Sequence, residues 1–348
     1  MCKISIIVPV YNCEEYIEKS LSCLLMQNIQ NLQIILVNDG SEDNSETICK
    51  RLAEKSDRVT YVYQENGGPG KARNTGLNLV KGEYTAFCDA DDTIDPALYE
   101  KLIHYLEKND ADMAMCDFYN ERDKKNMGLP WKDNAVLNRE DILHDLIPRM
   151  TGNVMDDDTV VPIWGSACRC LFKSKILKNH KIVFPTDITF AEDLIFVFRY
   201  LLFTQRVAVC NQVLYYYTMN PHSIMNSHKY YQAEMFSKRK QLMKYIKEIL
   251  QQFDIFVDTK ERFYCTARQY INECAGNACS NGSIRGKKAA YNEVKQIVND
   301  PVTIEVFKVY HSKVFKRRLC YWAIRHKMSF LLYFYYTNRL KYRQYAME

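Results

Sequence analysis

The chain has 348 residues, 47% of them apolar and 26% charged, with a formal charge of +5. That balance is the one expected of a soluble globular protein, and it excludes disordered, collagen-like and low-complexity classes. The charge is uneven, because residues 311–348 hold nine Lys/Arg and one acid while the rest carries 38 basic and 41 acidic side chains.

Through residue 120, short β-branched runs alternate with stretches of helical period. Strands are expected at Ile4 to Val10, Gln33 to Asn38, Val59 to Gln64, Glu83 to Asp89 and Met113 to Phe118. Helices are expected at Glu14 to Met26, Asp43 to Glu54, Lys71 to Val80 and Pro96 to Lys108. This alternation implies an α/β fold, a mainly parallel sheet with helices on both faces, whose functional residues belong at the carboxyl ends of the strands. Beyond a looser polar stretch, one short helix is expected near Arg139 to Leu146, a strand at Ala167 to Phe172, a helix at Ala191 to Phe203 and a strand at Val207 to Thr218. After Asn220-Pro221 the pattern becomes helical, at Lys229 to Gln252, Thr259 to Ala278 and Lys287 to Asn299. We therefore expect a domain over 1–220 and a helical region over 221–348, with a basic, aromatic tail at 311–348.

Thirteen cysteines without a C-x-x-C pair offer neither zinc-ribbon nor thioredoxin spacing, and a reduced, cytoplasmic setting is expected. The opening apolar run, Ile4 to Val10, is too short for a signal core. No uncharged apolar stretch approaches the roughly 20 residues that a spanning helix needs.

Three expected strand ends are polar: Pro9-Val10-Tyr11-Asn12, Asn38-Asp39-Gly40-Ser41 and Cys88-Asp89-Ala90-Asp91-Asp92. Asn12, Ser41 and Asp43 fit helix caps as well as ligand contacts. Three acids within four residues are costly unless solvent or a cation compensates them. Mg²⁺ or Mn²⁺ uses one or two carboxylates and completes its shell with water and phosphate oxygens. D-x-D spacing recurs at Asp110 and Asp156, but only Asp89 and Asp91 stand at a strand's carboxyl end. The turn Asn66-Gly67-Gly68-Pro69-Gly70-Lys71-Ala72-Arg73-Asn74 fits either an anion-holding helix start or a flexible loop with solvated cations. Glu192-Asp193 opens an apolar helix, as a cap or as a cap plus a general base.

The stretches SIIVPVYNCEEYI, ILVNDGSEDNS, NGGPGKARNTGLNLVKGEYTAFCDADD, WGSACRCLFKSKIL and AEDLIF, in this order, resemble family 2 glycosyltransferases of the GT-A fold. The resemblance covers residues 4 to about 200 and implies an inverting enzyme of bacterial polysaccharide or lipopolysaccharide synthesis. It would move a sugar from a nucleotide-diphosphate donor, usually UDP-linked, to a glycan or lipid-linked glycan. Carried over, it implies that Pro9, Val10 and Tyr11 line the nucleotide pocket, that Asp39 accepts from the base, and that Arg73 helps hold the nucleotide. Asp89 and Ala90 then face the donor, Asp89 and Asp91 bind Mn²⁺ or Mg²⁺, and Asp193 is the base. Glu192 and Trp164 would shape the acceptor pocket, and His222 would stand in a loop over the diphosphate, where a solvated role is the alternative.

In the tail, Phe315, Leu319, Trp322 and Phe330 fall near one helical face, with Lys313, Lys316, Arg317, Arg325 and Lys327 elsewhere. Such a helix suits an anionic membrane surface, or packs its aromatics on the body. No nucleic-acid recognition pattern accompanies it. Two rivals remain: a noncatalytic sugar-nucleotide-binding scaffold, and a sugar-phosphate nucleotidyltransferase, whose glycine-rich loop should follow the first strand, where V-Y-N-C-E-E stands instead.

Overall fold

The computed structural model describes residues 2–154, 162–220, 232–280, 286–309 and 321–345, with side chains to 338 in the last stretch. It divides into two compact units, Met1–Met150 with Ile163–Asn220, and Thr151–Pro162 with Pro221–Glu348.

The first unit is built on one sheet. Its strands are β1 (Ile4–Val10), β2 (Leu32–Asp39), β3 (Val59–Gln64), β4 (Tyr84–Phe87), β5 (Thr93–Ile94), β6 (Met113–Asn120), β7 (Lys125–Asn126), β8 (Ala135–Leu137), β9 (Cys170–Lys173) and β10 (Val207–Tyr217). The order is β3-β2-β1-β4-β9-β6-β10-β5, with β7 beside β6 and β8 beside β10. Strands β3, β2, β1 and β4 pair in parallel; β9 is antiparallel to both β4 and β6, so β6 and β10 point the same way as the first four. The mainly parallel expectation therefore holds along the body of the sheet, with β9 as the reversed member between β4 and β6.

Burial explains the composition of the central strands. Ile-Ile-Val of β1 and Ile-Ile-Leu-Val of β2 are fully enclosed, as parallel strands covered on both faces require. Each such side chain contributes about 1.5–3 kcal/mol on burial. Ser5 and Gln33, polar positions inside these runs, are satisfied locally: Ser5 donates to Gln33 Oε1 at 2.6 Å and accepts the Gly82 N–H at 2.8 Å. The covering helices include α1 (Ile17–Leu25), α2 (Ser45–Glu54), α3 (Pro69–Leu77) and α4 (Leu98–Lys108). Helix α3 begins two residues earlier than expected, with Pro69 in its first turn, where the missing N–H costs nothing. Pro96, by contrast, precedes α4, and the Ala97 N–H donates to Asp95 Oδ1 instead.

The second unit is helical, with Met235–Gln252, Phe256–Ser280, Lys287–Asn299, Pro301–Val309 and Ser329–Tyr345. Phe263, Ala267, Ile271, Cys274 and Ala278 form the buried stripe of its longest helix. Arg262 donates to the Gly152 carbonyl and Thr266 to that of Thr151, which ties the short Thr151–Pro162 piece to this unit. In the last helix Phe330, Leu331, Phe334 and Tyr335 are exposed, as is Trp322 before it, whereas Leu332 and Tyr336 are buried. Phe315, Leu319, Lys313, Lys316 and Arg317 lie outside the described residues, and Arg325 donates to the Phe307 carbonyl at 2.6 Å. No helix among the described residues is long and apolar enough to cross a membrane.

Candidate active site

The carboxyl ends of β1, β2 and β4 meet on one edge of the sheet, and the polar residues after β1 and β2 are stitched to one another. The Asn12 N–H donates to Ser41 Oγ, Glu42 N–H to Asn12 Oδ1, and Glu14 N–H to Asp43 Oδ2. Asp43 also accepts from Ser45 N–H, two residues on. The helix-cap alternative does not hold for these residues: the N-cap positions are Tyr16 for α1 and Asn44 for α2, and Asn12, Ser41 and Asp43 bind turn to turn instead. Pro9 is partly exposed and Tyr11 exposed, whereas Val10 is fully buried and offers a ligand its backbone alone.

Asp39 anchors the glycine-rich turn. Its Oδ1 accepts from Gln64 Nε2 at 2.6 Å and Gly67 N–H at 2.9 Å, and its Oδ2 from Gly68 N–H at 2.8 Å. A carboxylate has about four lone-pair positions, so one on Oδ2 remains for another donor. Gly68 has φ +85°, a conformation that favours glycine, and a Cβ on Gly70 would stand 2.8 Å from the Pro185 carbonyl oxygen. That close approach seats the first turn of α3 against the Phe184-Pro185 segment. Asn74 completes the join by donating to the Phe184 carbonyl and accepting the Phe184 N–H.

One turn into α3, Arg73 is almost completely buried and surrounded by acids. Its Nη2 lies 2.7 Å from Asp89 Oδ1, and its Nη1 lies 3.0 Å from Glu192 Oε1 and 3.1 Å from Asp193 Oδ1. The guanidinium sits over the Phe184 ring, which stacks on Phe196 at 4.0 Å between centroids. Although burial works against its charge, Asp193, Asp89 and Glu192 together keep Arg73 protonated well above its usual range.

Glu192 and Asp193 occupy the first turn of the helix Glu192–Leu201, where the helix dipole favours negative charge. Ala191 before them has φ +57°, an uncommon left-handed backbone that turns the pair inward. Asp193 Oδ2 accepts the Ala167 N–H at 3.0 Å; Oδ1 is shielded and, its ion pair with Arg73 aside, has no hydrogen-bond partner. Burial raises the Asp193 carboxyl to about 7, outweighing the lowering by Arg73, and Glu192 and Asp89 add to the rise. A carboxyl poised there is suited to taking a proton near neutrality.

Asp91 is held from the other side, with Asn220 Nδ2 donating to its Oδ2 at 2.9 Å. Burial, reinforced by the charge of Asp89, raises its carboxyl above the ordinary range. A divalent cation would relieve both, so the residues fit one. No three His, Cys, Asp or Glu side chains among the described residues gather as a metal site. The rest of a cation's shell would come from water and ligand oxygens.

Ala90 is buried; Trp164 is exposed and leans on Phe118 with centroids 6.1 Å apart. His222 lies outside the described residues. The sequence pattern gave no role to Ala167, Tyr215 or Asn220, and marked Asn74 only as the last residue of the glycine-rich stretch.

Residues 5–162 match the family model described as glycosyl transferase family 2. The uncharacterized glycosyltransferase EpsJ of Bacillus subtilis (strain 168) is 33% identical over 244 residues, which cover 67% of this chain and 68% of its own length. A poly(ribitol-phosphate) beta-glucosyltransferase of Bacillus spizizenii is 32% identical over 219 residues, 62% of this chain and 32% of that protein. Among solved structures, residues 1–349 of S. aureus TarS in complex with UDP-GlcNAc superpose with a TM-score of 0.60 at 20% identity, over 98% of this chain and 92% of that one. This last likeness is one of fold.

Proposed function

The chain belongs to glycosyl transferase family 2, and on that premise we propose that it is an inverting enzyme with a UDP-linked sugar donor. Its acceptor is a hydroxyl of a glycan or lipid-linked glycan. Arg73 carries this reading, because one buried guanidinium joins the acidic turn after β4 to the Glu192-Asp193 pair. Two chemistries of opposite demand, a leaving diphosphate and a hydroxyl losing its proton, are thereby kept one side chain apart. The UDP-GlcNAc bound by TarS supports the choice of uridine.

Asp193 is the base. The Ala167 amide orients Oδ2 and Arg73 holds Oδ1, and the carboxylate so fixed accepts the acceptor's proton as the new bond forms. Glu192, held by Arg73, shapes the wall beside it. Asp39 has one lone pair available for the base of the nucleotide, and Pro9 and Tyr11 flank that position. Asp91 and Asp89 hold the divalent cation, which when bound stabilises the charge of the leaving diphosphate as a Lewis acid. With one base and no carboxylate assigned as nucleophile, the displacement has a single step, as in inverting glycosidases.

A thermal-shift panel of UDP-sugars with Mn²⁺ tests the donor site. The matching donor raises the melting temperature by about 5 °C or more at saturation, and Asp91→Ala loses that rise. An unchanged shift in Asp91→Ala would remove Asp91 from the site. Binding without turnover for every acceptor tried would favour a scaffold.

The lipid side of the reading rests on the last helix. Phe330 with Phe334, and Leu331 with Tyr335, are exposed pairs one turn apart, in a part of the chain with a large excess of basic side chains. An anionic membrane satisfies both properties. The full chain is expected to sediment with anionic vesicles at low salt and to be released at high salt. Phe330→Asp with Phe334→Asp is expected to reduce the bound fraction several-fold; equal sedimentation of this variant would contradict the membrane contact.

A further inference from the structure

The D-x-D pattern leaves one acid unexplained. Asp92 follows Asp91 directly, yet it turns inward and is 1% exposed. Its Oδ2 accepts from the Tyr215 hydroxyl at 2.5 Å, and its Oδ1 accepts the Thr218 N–H at 2.8 Å. The same Tyr215 oxygen accepts the Asp89 N–H at 3.3 Å. One hydroxyl near the end of β10 thus joins the backbone of the first acid to the carboxylate of the third. Asn220, just beyond the strand, donates to the second acid at 2.9 Å.

Sheet formation does not require these bonds. Pairing of β5 with β10 is made by backbone at Ile94 with Tyr215 and at Thr93 with Tyr216, and the Asp95 N–H donates to the Leu214 carbonyl at 2.9 Å. The tyrosine ring fills its place in the core with or without the oxygen. What the hydroxyl adds is a restraint on the turn itself. Asp89 and Asp91 carry like charges, and a free turn would let them splay apart. Orienting them before the ligand arrives moves that cost from binding to folding.

We propose that Tyr215, with Asp92 as its partner, is a positioning residue that presets the Asp89 and Asp91 carboxylates for the donor diphosphate and its cation. This rests on the assignment of Asp89 and Asp91 to the donor site. The three acids then have distinct roles: the first two face ligand, and the third locks them in place.

The test is steady-state kinetics of the full chain carrying Tyr215→Phe, with Mn²⁺ titrated at fixed donor. The KM for the UDP-sugar and the half-saturating Mn²⁺ concentration are each expected to rise about tenfold, the worth of one lost buried hydrogen bond. The turnover number at saturation and the KM for acceptor are expected to stay within about threefold, a split that general loosening of the fold would not produce. If Tyr215→Phe does not accumulate as folded protein, Asp92→Ala, which removes the acceptor of the Tyr215 hydroxyl, is expected to give the same split. Asp91→Ala, run alongside, separates the two possible failures. Lost transfer in Asp91→Ala with unchanged donor and Mn²⁺ constants in both other variants overturns the lock and leaves the site. Wild-type transfer by Asp91→Ala overturns the assignment on which the lock rests.

Discussion

Asp193→Asn is expected to lower turnover by about 10³-fold, within the range that a positioned general base supplies. Donor affinity is expected to stay within about twofold, because in the proposed mechanism the lost group meets the acceptor and not the nucleotide. The substitution is nearly isosteric, and an amide oxygen can still accept the Ala167 N–H that now fixes Oδ2. An amide cannot take a proton from a hydroxyl near neutral pH. Transfer within tenfold of wild type, or loss of donor binding with turnover intact, would place the base elsewhere.

Arg73→Met should be damaging in two separable ways. Arg73 is the shared partner of Asp89, Glu192 and Asp193, and these contacts lie in a largely enclosed space. Removing the cation leaves uncompensated buried carboxylates, which costs about 3–5 kcal/mol where one partner of a buried pair is lost. The cost depends on pH with a definite sign. The Asp193 carboxyl already stands above its ordinary range because of burial, and loss of Arg73 raises it further. The native variant therefore binds a proton more tightly than the unfolded chain does, so lowering the pH from 8 to 5.5 recovers part of its stability relative to wild type. Denaturant melts at the two pH values measure this; an equal deficit at both would contradict the coupling. Activity is expected to fall by about 10² or more, since both the base and Asp89 lose the group that orients them. Arg73→Lys should not restore it, because an ammonium on a flexible stem cannot span three carboxylates as a planar fork does.

Much of this was legible in the sequence, for reasons that differ by element. The runs Ile4–Val10 and Val59–Gln64 read to the residue, because each β-branched run is bounded by polar or turn-forming neighbours. β5 and β8, two and three residues long, carry no period to detect. The reversal of β9 was equally silent, since a four-residue strand does not record its direction. Asp89, Asp91 and Asp193 stood out as acids at element ends. Their junction through arginine did not, because Arg73 and Glu192 are 119 positions apart and only the packing of α3 against Phe184-Pro185 brings them together. Asp92 and Tyr215, 123 positions apart, were hidden in the same way. Asp39 shows another limit: the family resemblance implies a base-binding role for it, while its three hydrogen bonds to Gln64, Gly67 and Gly68 belong to loop geometry that no local pattern encodes.

The pH dependence of kcat/KM for the donor, in wild type and Arg73→Met, bears most directly on the central claim that Asp193 acts as the base under the control of Arg73. The wild-type profile should rise through a single ionisation near 7, the value to which burial brings Asp193, because the base works only when deprotonated. In Arg73→Met the residual activity should rise at higher pH, since the cation that favours the carboxylate is gone. A profile that is flat between about pH 5 and 9 in wild type, or an acid limb that does not move in Arg73→Met, would contradict the assignment.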